Sequence, residues 1–122
     1  MHILLVDDNS LVLEDLAATL EVAGHHVITF SRGKDLIQQV QENPVCDIIV
    51  TDKNMPEMDG FEVLRTLRNN KALDKTPIIM HTSEPGLESV VRKYGGLYAE
   101  KVPLSKNLLN LLRKIENGEI TV

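Results

Sequence analysis

Five short apolar runs, each followed by apolar residues at helical spacing, constrain this chain more than any other feature. The runs cover residues 3–6, 27–30, 48–50, 78–80 and, weakest, 97–99. Ile48, Ile49 and Val50 are consecutive and β-branched, which reads as a strand buried on both faces. Between and after the runs lie helical stripes. The first is Leu13, Leu16, Ala17 and Leu20, with Asn9-Ser10 as N-cap and Gly24 as stop. Leu36, Ile37 and Val40 form a shorter one that ends before Asn43-Pro44, and Val63, Leu64 and Leu67 follow Asp59-Gly60. Leu87, Val90, Val91 and Tyr94 make a fourth, opening near Pro85-Gly86 and closed by Gly95-Gly96. Leu108, Leu111, Leu112 and Ile115 make a fifth, with Ser105 as its expected cap. Strict alternation implies an α/β fold: parallel strands, right-handed crossovers and helices on both faces of a doubly wound sheet.

Composition narrows the function classes. The 122 residues suit one domain, 1–122, and 43% hydrophobic content supplies a core. A net charge of −5 argues against a nucleic-acid-binding surface. Cys46 is the only cysteine, so no internal disulfide forms, and a reducing, cytoplasmic setting is expected. No apolar run reaches the roughly 18 residues of a membrane span, and the start lacks a signal-peptide pattern.

In a doubly wound sheet, function gathers just past the carboxyl ends of the strands. Those positions hold Asp7-Asp8 after the first run, Asp52 after the third, Thr82-Ser83 after the fourth and Lys101 after the fifth. Ser31, after the second, carries nothing distinctive. Crowded carboxylates repel one another unless a cation shares the site. Oxygen-only ligands favour a hard ion, and Mg²⁺ suits carboxylates plus waters. A carboxylate such as Asp52 is then placed to attack phosphorus, with Thr82 and Lys101 as donors to the transferred oxygens.

With these residues in place the chain resembles a response-regulator receiver domain, the phosphoacceptor half of two-component signalling. The resemblance runs from "ILLVDDN" to "NLLNLLRKI" and is most specific in the acid pair and in "DIIVTDKNMPEMDG". It implies a flavodoxin-like sheet in strand order 2-1-3-4-5. It also implies Asp52 as phosphoacceptor and a Mg²⁺ site of Asp8, Asp52, Asp7 (through water) and the Asn54 backbone carbonyl. Thr82 matches the hydroxyl residue, Lys101 the phosphate-contacting lysine, and Tyr98 the aromatic whose rotamer changes on activation. Pro56 and Gly60 match the loop that shapes the metal site, while Asn54 and Glu84 flank the hydrolytic path. Implied partners are a histidine kinase or histidine phosphotransfer protein, and a downstream protein at the face formed by the fourth helix, fifth strand and fifth helix. The resemblance implies no enzyme in the ordinary sense, only self-phosphorylation and dephosphorylation. No output domain is expected within the 122 residues.

The chain departs from the pattern in "EKVPLS", where Val102 separates Lys101 from Pro103. A cis bond before a non-proline costs roughly 2.5–4 kcal/mol. The expectation is a trans bond at Lys101, or a shift that gives Pro103 a different use; either moves the amine. The segment from Thr82 to Lys101 is also short for the family, and Glu100 should share a side with Tyr98 and make that surface acidic.

Plainer readings stand beside these. Asp7, Asp8 and Asn9 alone would cap a helix, Thr82 would end a strand, and Lys101 would be a solvated lysine. Tyr98 reads equally as edge packing. His25-His26 read as turn residues, His81 as packing turned away from Thr82, Met55 and Met58 as fillers, and Cys46 as an unactivated thiol. Two other function classes are open: a receiver that binds partners without phosphorylation, and a phosphohydrolase with an aspartyl intermediate. The second needs an acid two residues after the nucleophile, where Asn54 stands.

Overall fold

Each apolar run is a strand, one or two residues longer than its apolar stretch. The computed structural model of the chain describes residues 1–102 and 105–120. The elements are β1 (His2–Val6), α1 (Ser10–Val22), β2 (His26–Phe30), α2 (Gly33–Glu42), β3 (Ile48–Thr51), α3 (Gly60–Arg68), a 3₁₀ turn (Lys71–Leu73), β4 (Ile78–Thr82), α4 (Glu88–Lys93), β5 (Leu97–Glu100) and α5 (Lys106–Glu116). The extra residues, such as Thr51, His81 and Thr82, are polar. Backbone pairing continues past the point where apolar patterning stops, because it uses only N–H and C=O groups. Thr82 is therefore the last residue of β4 and does not follow it.

The five strands form one parallel sheet in the order β2-β1-β3-β4-β5, a flavodoxin-like arrangement. Alternation splits the core between its faces. Leu4, Val6, Ile49, Ile78 and Met80 pack with Leu36, Val40, Val63 and Leu67 of α2 and α3. Ile3, Leu5, Ile48, Val50 and Ile79 pack with Leu16, Leu20, Leu108 and Leu112 of α1 and α5. All of β3 and β4 is buried, whereas edge strand β2 leaves Ile28 52% exposed.

Local signals behave unevenly. The Asn9 side chain caps α1, accepting from the Leu11 and Val12 amides at 3.1 and 3.2 Å. Gly24, at φ +96°, ends that helix as expected. α3 opens on a capping box between Asp59 and Glu62. The fourth stripe is corrected: α4 has only six residues, Leu87 and Tyr94 flank it, and only Val91 within it is buried. Tyr94 instead lies edge-on to Phe61, ring centres 6.0 Å apart, with Arg65 over its face. Ser105 is corrected too. It sits before α5 at φ +66°, where its hydroxyl makes no cap bond. A capping hydroxyl needs an extended backbone to face the first-turn amides. Pro103 lies outside the described residues.

Two features have no counterpart in the sequence pattern. Leu73, fully buried, anchors the 3₁₀ turn after α3. Arg68 donates to the carbonyls of Leu73, Thr76 and Gly95 at 2.8–2.9 Å and so ties α3 to the entries of β4 and β5. His26 belongs to β2 and stacks on His2, while His25 takes the Met1 amine at 3.1 Å. No helix of the described residues is long and apolar enough to cross a membrane.

Candidate functional site

The strand order reverses between β1 and β3, and the register there decides which side chains meet. Val6 pairs with Thr51, so the next residues, Asp7 and Asp52, emerge side by side. The ladder carries on for one more residue. The Asp7 amide donates to the Phe30 carbonyl at 3.2 Å, and the Asp52 amide to the Val6 carbonyl at 3.0 Å. Asp7 is 1% exposed and Asp52 8%, while Asp8 reaches solvent. One oxygen from each of Asp7, Asp8 and Asp52 falls within 4.8 Å of the others. This donor set contains only carboxylate oxygens, which fits a hard divalent ion such as Mg²⁺.

The β3–α3 loop closes tightly on Asp52. The Lys53 amide donates to Asp52 Oδ1 at 2.8 Å, and the Gly60 amide to the Lys53 carbonyl at 2.7 Å. A Cβ at Gly60 would meet the Asp52 carbonyl, Met80 Sδ at 2.6 Å and Lys53 Cα at 2.8 Å. Only glycine fits there. Met55 is buried in the core beneath this loop, and Met58 packs beside it. Glu57 in the same loop holds φ +71°, the left-handed region that a side chain disfavours.

Lys101 arrives from the other side. Its Nζ lies 2.8 Å from Asp7 Oδ2 and 3.1 Å from Asp52 Oδ1. The inserted Val102, 64% exposed, does not carry the amine away, contrary to the sequence-based expectation. Its backbone explains this: the Lys101 amide donates to the Thr82 carbonyl at 2.8 Å, extending the β4–β5 ladder past Glu100. Burial alone would lower the Lys101 pKa. The hydrogen bond to Asp7 and the charges of Asp52 and Asp7 outweigh burial and hold it above the usual lysine value. Asp52 is pushed up, first by burial and then by the charge of Asp7, against the pull of Lys101. Both shifts describe carboxylates that need positive charge.

The Thr82 hydroxyl oxygen accepts from the Glu84 amide at 3.2 Å. Tyr98 is half-buried, and its hydroxyl donates to the Glu84 carbonyl at 2.8 Å. Glu100 does share its side, with Oε1 3.4 Å from that hydroxyl. Burial raises the Tyr98 pKa, helped by Glu100, Glu88 and Glu84, so the patch is acidic as expected. Asn54 is exposed, and its Oδ1 accepts from Lys53 Nζ at 3.4 Å.

Among the remaining candidates, His81 is 2% exposed on the face opposite Thr82, and its Nε2 has no partner among the described residues. Burial, with Lys101 nearby, lowers its pKa to about 4. Burial, and then Asp47, raises the Cys46 thiol to about 11, leaving it unactivated. Sequence reasoning missed Lys53. Its Nζ reaches Glu84 Oε1 at 2.9 Å, between residues 31 apart in the chain. No periodicity or motif marks such a pairing.

Comparison with known proteins agrees with this fold. The chain is 37% identical over 95 residues to the cell cycle response regulator CtrA of Brucella ovis, covering 78% of this chain. It spans 27% to 40% of the length of such curated relatives. The chemotaxis response regulator CheY4 of Vibrio cholerae superposes with a TM-score of 0.85 at 30% identity, over 93% of this chain and 97% of that one. TrrA of Thermotoga maritima, a response regulator solved in complex with Mg²⁺-BeF, gives 0.82 at 25% identity, over 93% and 96%. The model of the response regulator receiver domain matches residues 3–99, a stretch that takes in the acid pair, the β3–α3 loop and Tyr98. The chain therefore belongs to the response regulator receiver domain family, a family of signalling domains.

Proposed function

We propose that residues 1–122 act as one receiver domain that accepts a phosphoryl group on Asp52 and switches a protein contact in response. The observation that carries this is the meeting of Asp7, Asp8 and Asp52 oxygens within 4.8 Å, with the Lys101 ammonium 3.1 Å from Asp52. A cytoplasmic histidine kinase or histidine phosphotransfer protein would present phosphohistidine. An Asp52 oxygen attacks phosphorus, the P–N bond breaks, and its electron pair returns to the leaving imidazole. Asp7, Asp8, Asp52 and the Asn54 backbone carbonyl would hold Mg²⁺, which supplies positive charge to the carboxylates and the phosphoryl oxygens when bound. The mimic complex of the related TrrA, with Mg²⁺ and BeF, supports that chemistry.

The chain's own residues do the rest. Lys101 moves from Asp52 to a phosphoryl oxygen while keeping its reach to Asp7, and the Lys53 amide holds Asp52 Oδ1 in place. The Thr82 hydroxyl turns from the Glu84 amide to the phosphoryl group. Tyr98 hangs on the carbonyl of that same Glu84, so a turn of Thr82 loosens the loop that holds the Tyr98 ring. The signal is then read at the face of α4, β5 and α5, where α4 is short and lightly anchored. Water attack on phosphorus ends it, with Asn54 and Glu84 flanking the approach.

Beryllofluoride titration followed by NMR tests the proposal. Saturable shifts at Asp52, Thr82 and Tyr98 that require Mg²⁺ and vanish in Asp52→Ala are expected. Absence of any change in the wild-type protein would leave a phosphorylation-independent binding module.

A further inference from the structure

The pairing of Lys53 with Glu84 has no role in taking up phosphorus, yet it joins the two loops on either side of the acceptor. Lys53 Nζ lies 2.9 Å from Glu84 Oε1 and 3.4 Å from Asn54 Oδ1. Its side chain is only 22% exposed, although the Glu84 side chain is 45% exposed. The same two residues touch the site through their backbones. The Lys53 amide holds Asp52 Oδ1, the Glu84 amide holds the Thr82 hydroxyl, and the Glu84 carbonyl holds Tyr98. The contacts form a chain running from Asp52 through Lys53 and Glu84 to Thr82, with Tyr98 attached at Glu84.

We propose that Lys53 is a positioning residue that clasps the β3–α3 loop to the β4–α4 loop and thereby lengthens the life of the phosphoryl group on Asp52. The inference rests on the phosphoacceptor reading. Tied to Lys53, the Glu84 carboxylate is engaged and is kept from orienting a water toward phosphorus. The Asn54 side chain, on the same ammonium, is held beside it. Release of the clasp frees both side chains and widens the approach for water. It also loosens Glu84, and so the hold on Tyr98.

The test loads the full chain with phosphoramidate and Mg²⁺, removes the donor, and follows phosphoaspartate decay by phosphate-affinity electrophoresis. A partly exposed pair supports an effect of about two- to fivefold. Lys53→Ala should decay faster by that factor, and Lys53→Arg should stay near the wild-type rate. Lys53→Glu should decay fastest, and the charge-swapped Lys53→Glu/Glu84→Lys protein should return toward the wild-type rate. Added salt should speed decay of the wild-type protein but not of Lys53→Ala. In the unphosphorylated proteins, the Tyr98 ring resonances should move in Lys53→Ala and return in the swapped pair. A Lys53→Ala protein that decays at the wild-type rate, or a swapped pair no slower than Lys53→Glu, overturns the clasp alone. A wild-type protein that takes up no phosphoryl group overturns the phosphoacceptor reading and the clasp together.

Discussion

The two sides of the site are built differently. The β1–β3 side holds Asp7 and Asp52 on buried central strands, each fixed by a backbone bond past its strand end. Its loop runs into a capping box and a glycine that admits no Cβ. The β4–β5 side holds Thr82, Tyr98 and Lys101, and the elements around them are lighter. α4 has six residues with one buried among them, β5 is a four-residue edge strand, and α5 starts without a side-chain cap. Chemistry demands fixed distances between charges, and Asp7 and Asp52 sit where packing is dense. A readout must move at small energetic cost, and the half-buried Tyr98 ring sits beside the short α4, where few contacts must break. Thr82 and Lys101, by contrast, are held as closely as the acids. In the proposed reading, one sheet thus carries a firmly held acceptor and a movable ring.

The sharpest way to break this contrast is Gly60→Ala. Its methyl would press on the Asp52 carbonyl and Lys53 Cα, backbone atoms with no room to yield. A loss of about 3 kcal/mol or more is expected in urea denaturation, along with Mg²⁺ affinity. An equal substitution cost at the exposed Gly86, where a Cβ meets nothing within 4 Å but φ is +80°, would remove the distinction between the sides.

His81 sharpens the comparison from the β4 side. Its folded-state pKa of about 4 lies below the 6.5 of an unfolded histidine. Between those values the unfolded chain binds the proton and the folded chain does not. The stability it allows is therefore full above pH 6.5 and declines as pH falls toward 4, on the order of 3 kcal/mol in all. Relative to His81→Leu, the wild-type protein should lose stability across that window in denaturant titrations. A pH-independent difference between the two would contradict a neutral buried ring.

The smallest effect concerns strain on the rigid side. Glu57→Gly at φ +71° should raise stability, by about 0.5 kcal/mol, because relief of left-handed strain slightly exceeds the added freedom of the unfolded chain. A lowered melting temperature would show that the Glu57 side chain contributes to holding the loop.

Legibility followed the same division. The acids, Thr82 and Lys101 were readable because a doubly wound sheet brings all strand ends to one rim, so position in the chain implies position in space. The packing of α4 was not. Leu87, Val90, Val91 and Tyr94 keep helical spacing, but the helix is too short to bury all four, and only the neighbouring elements choose Val91. Ser105 has the composition of a cap without its backbone. Leu73 and Arg68 carry no local signal, since the carbonyls that Arg68 gathers come from two separate segments.

The sequence by itself determined the alternation of strands and helices, and hence a parallel sheet with acids, a hydroxyl and an amine along one edge. Periodicity and strand-end chemistry are local, and local pattern is what a linear chain displays. Tertiary structure alone decided that Lys101 reaches Asp7 and Asp52 despite Val102, and that Lys53 meets Glu84. Those contacts join residues from 31 to 94 positions apart. Their distances depend on register and packing across the sheet, which no single stretch of sequence contains.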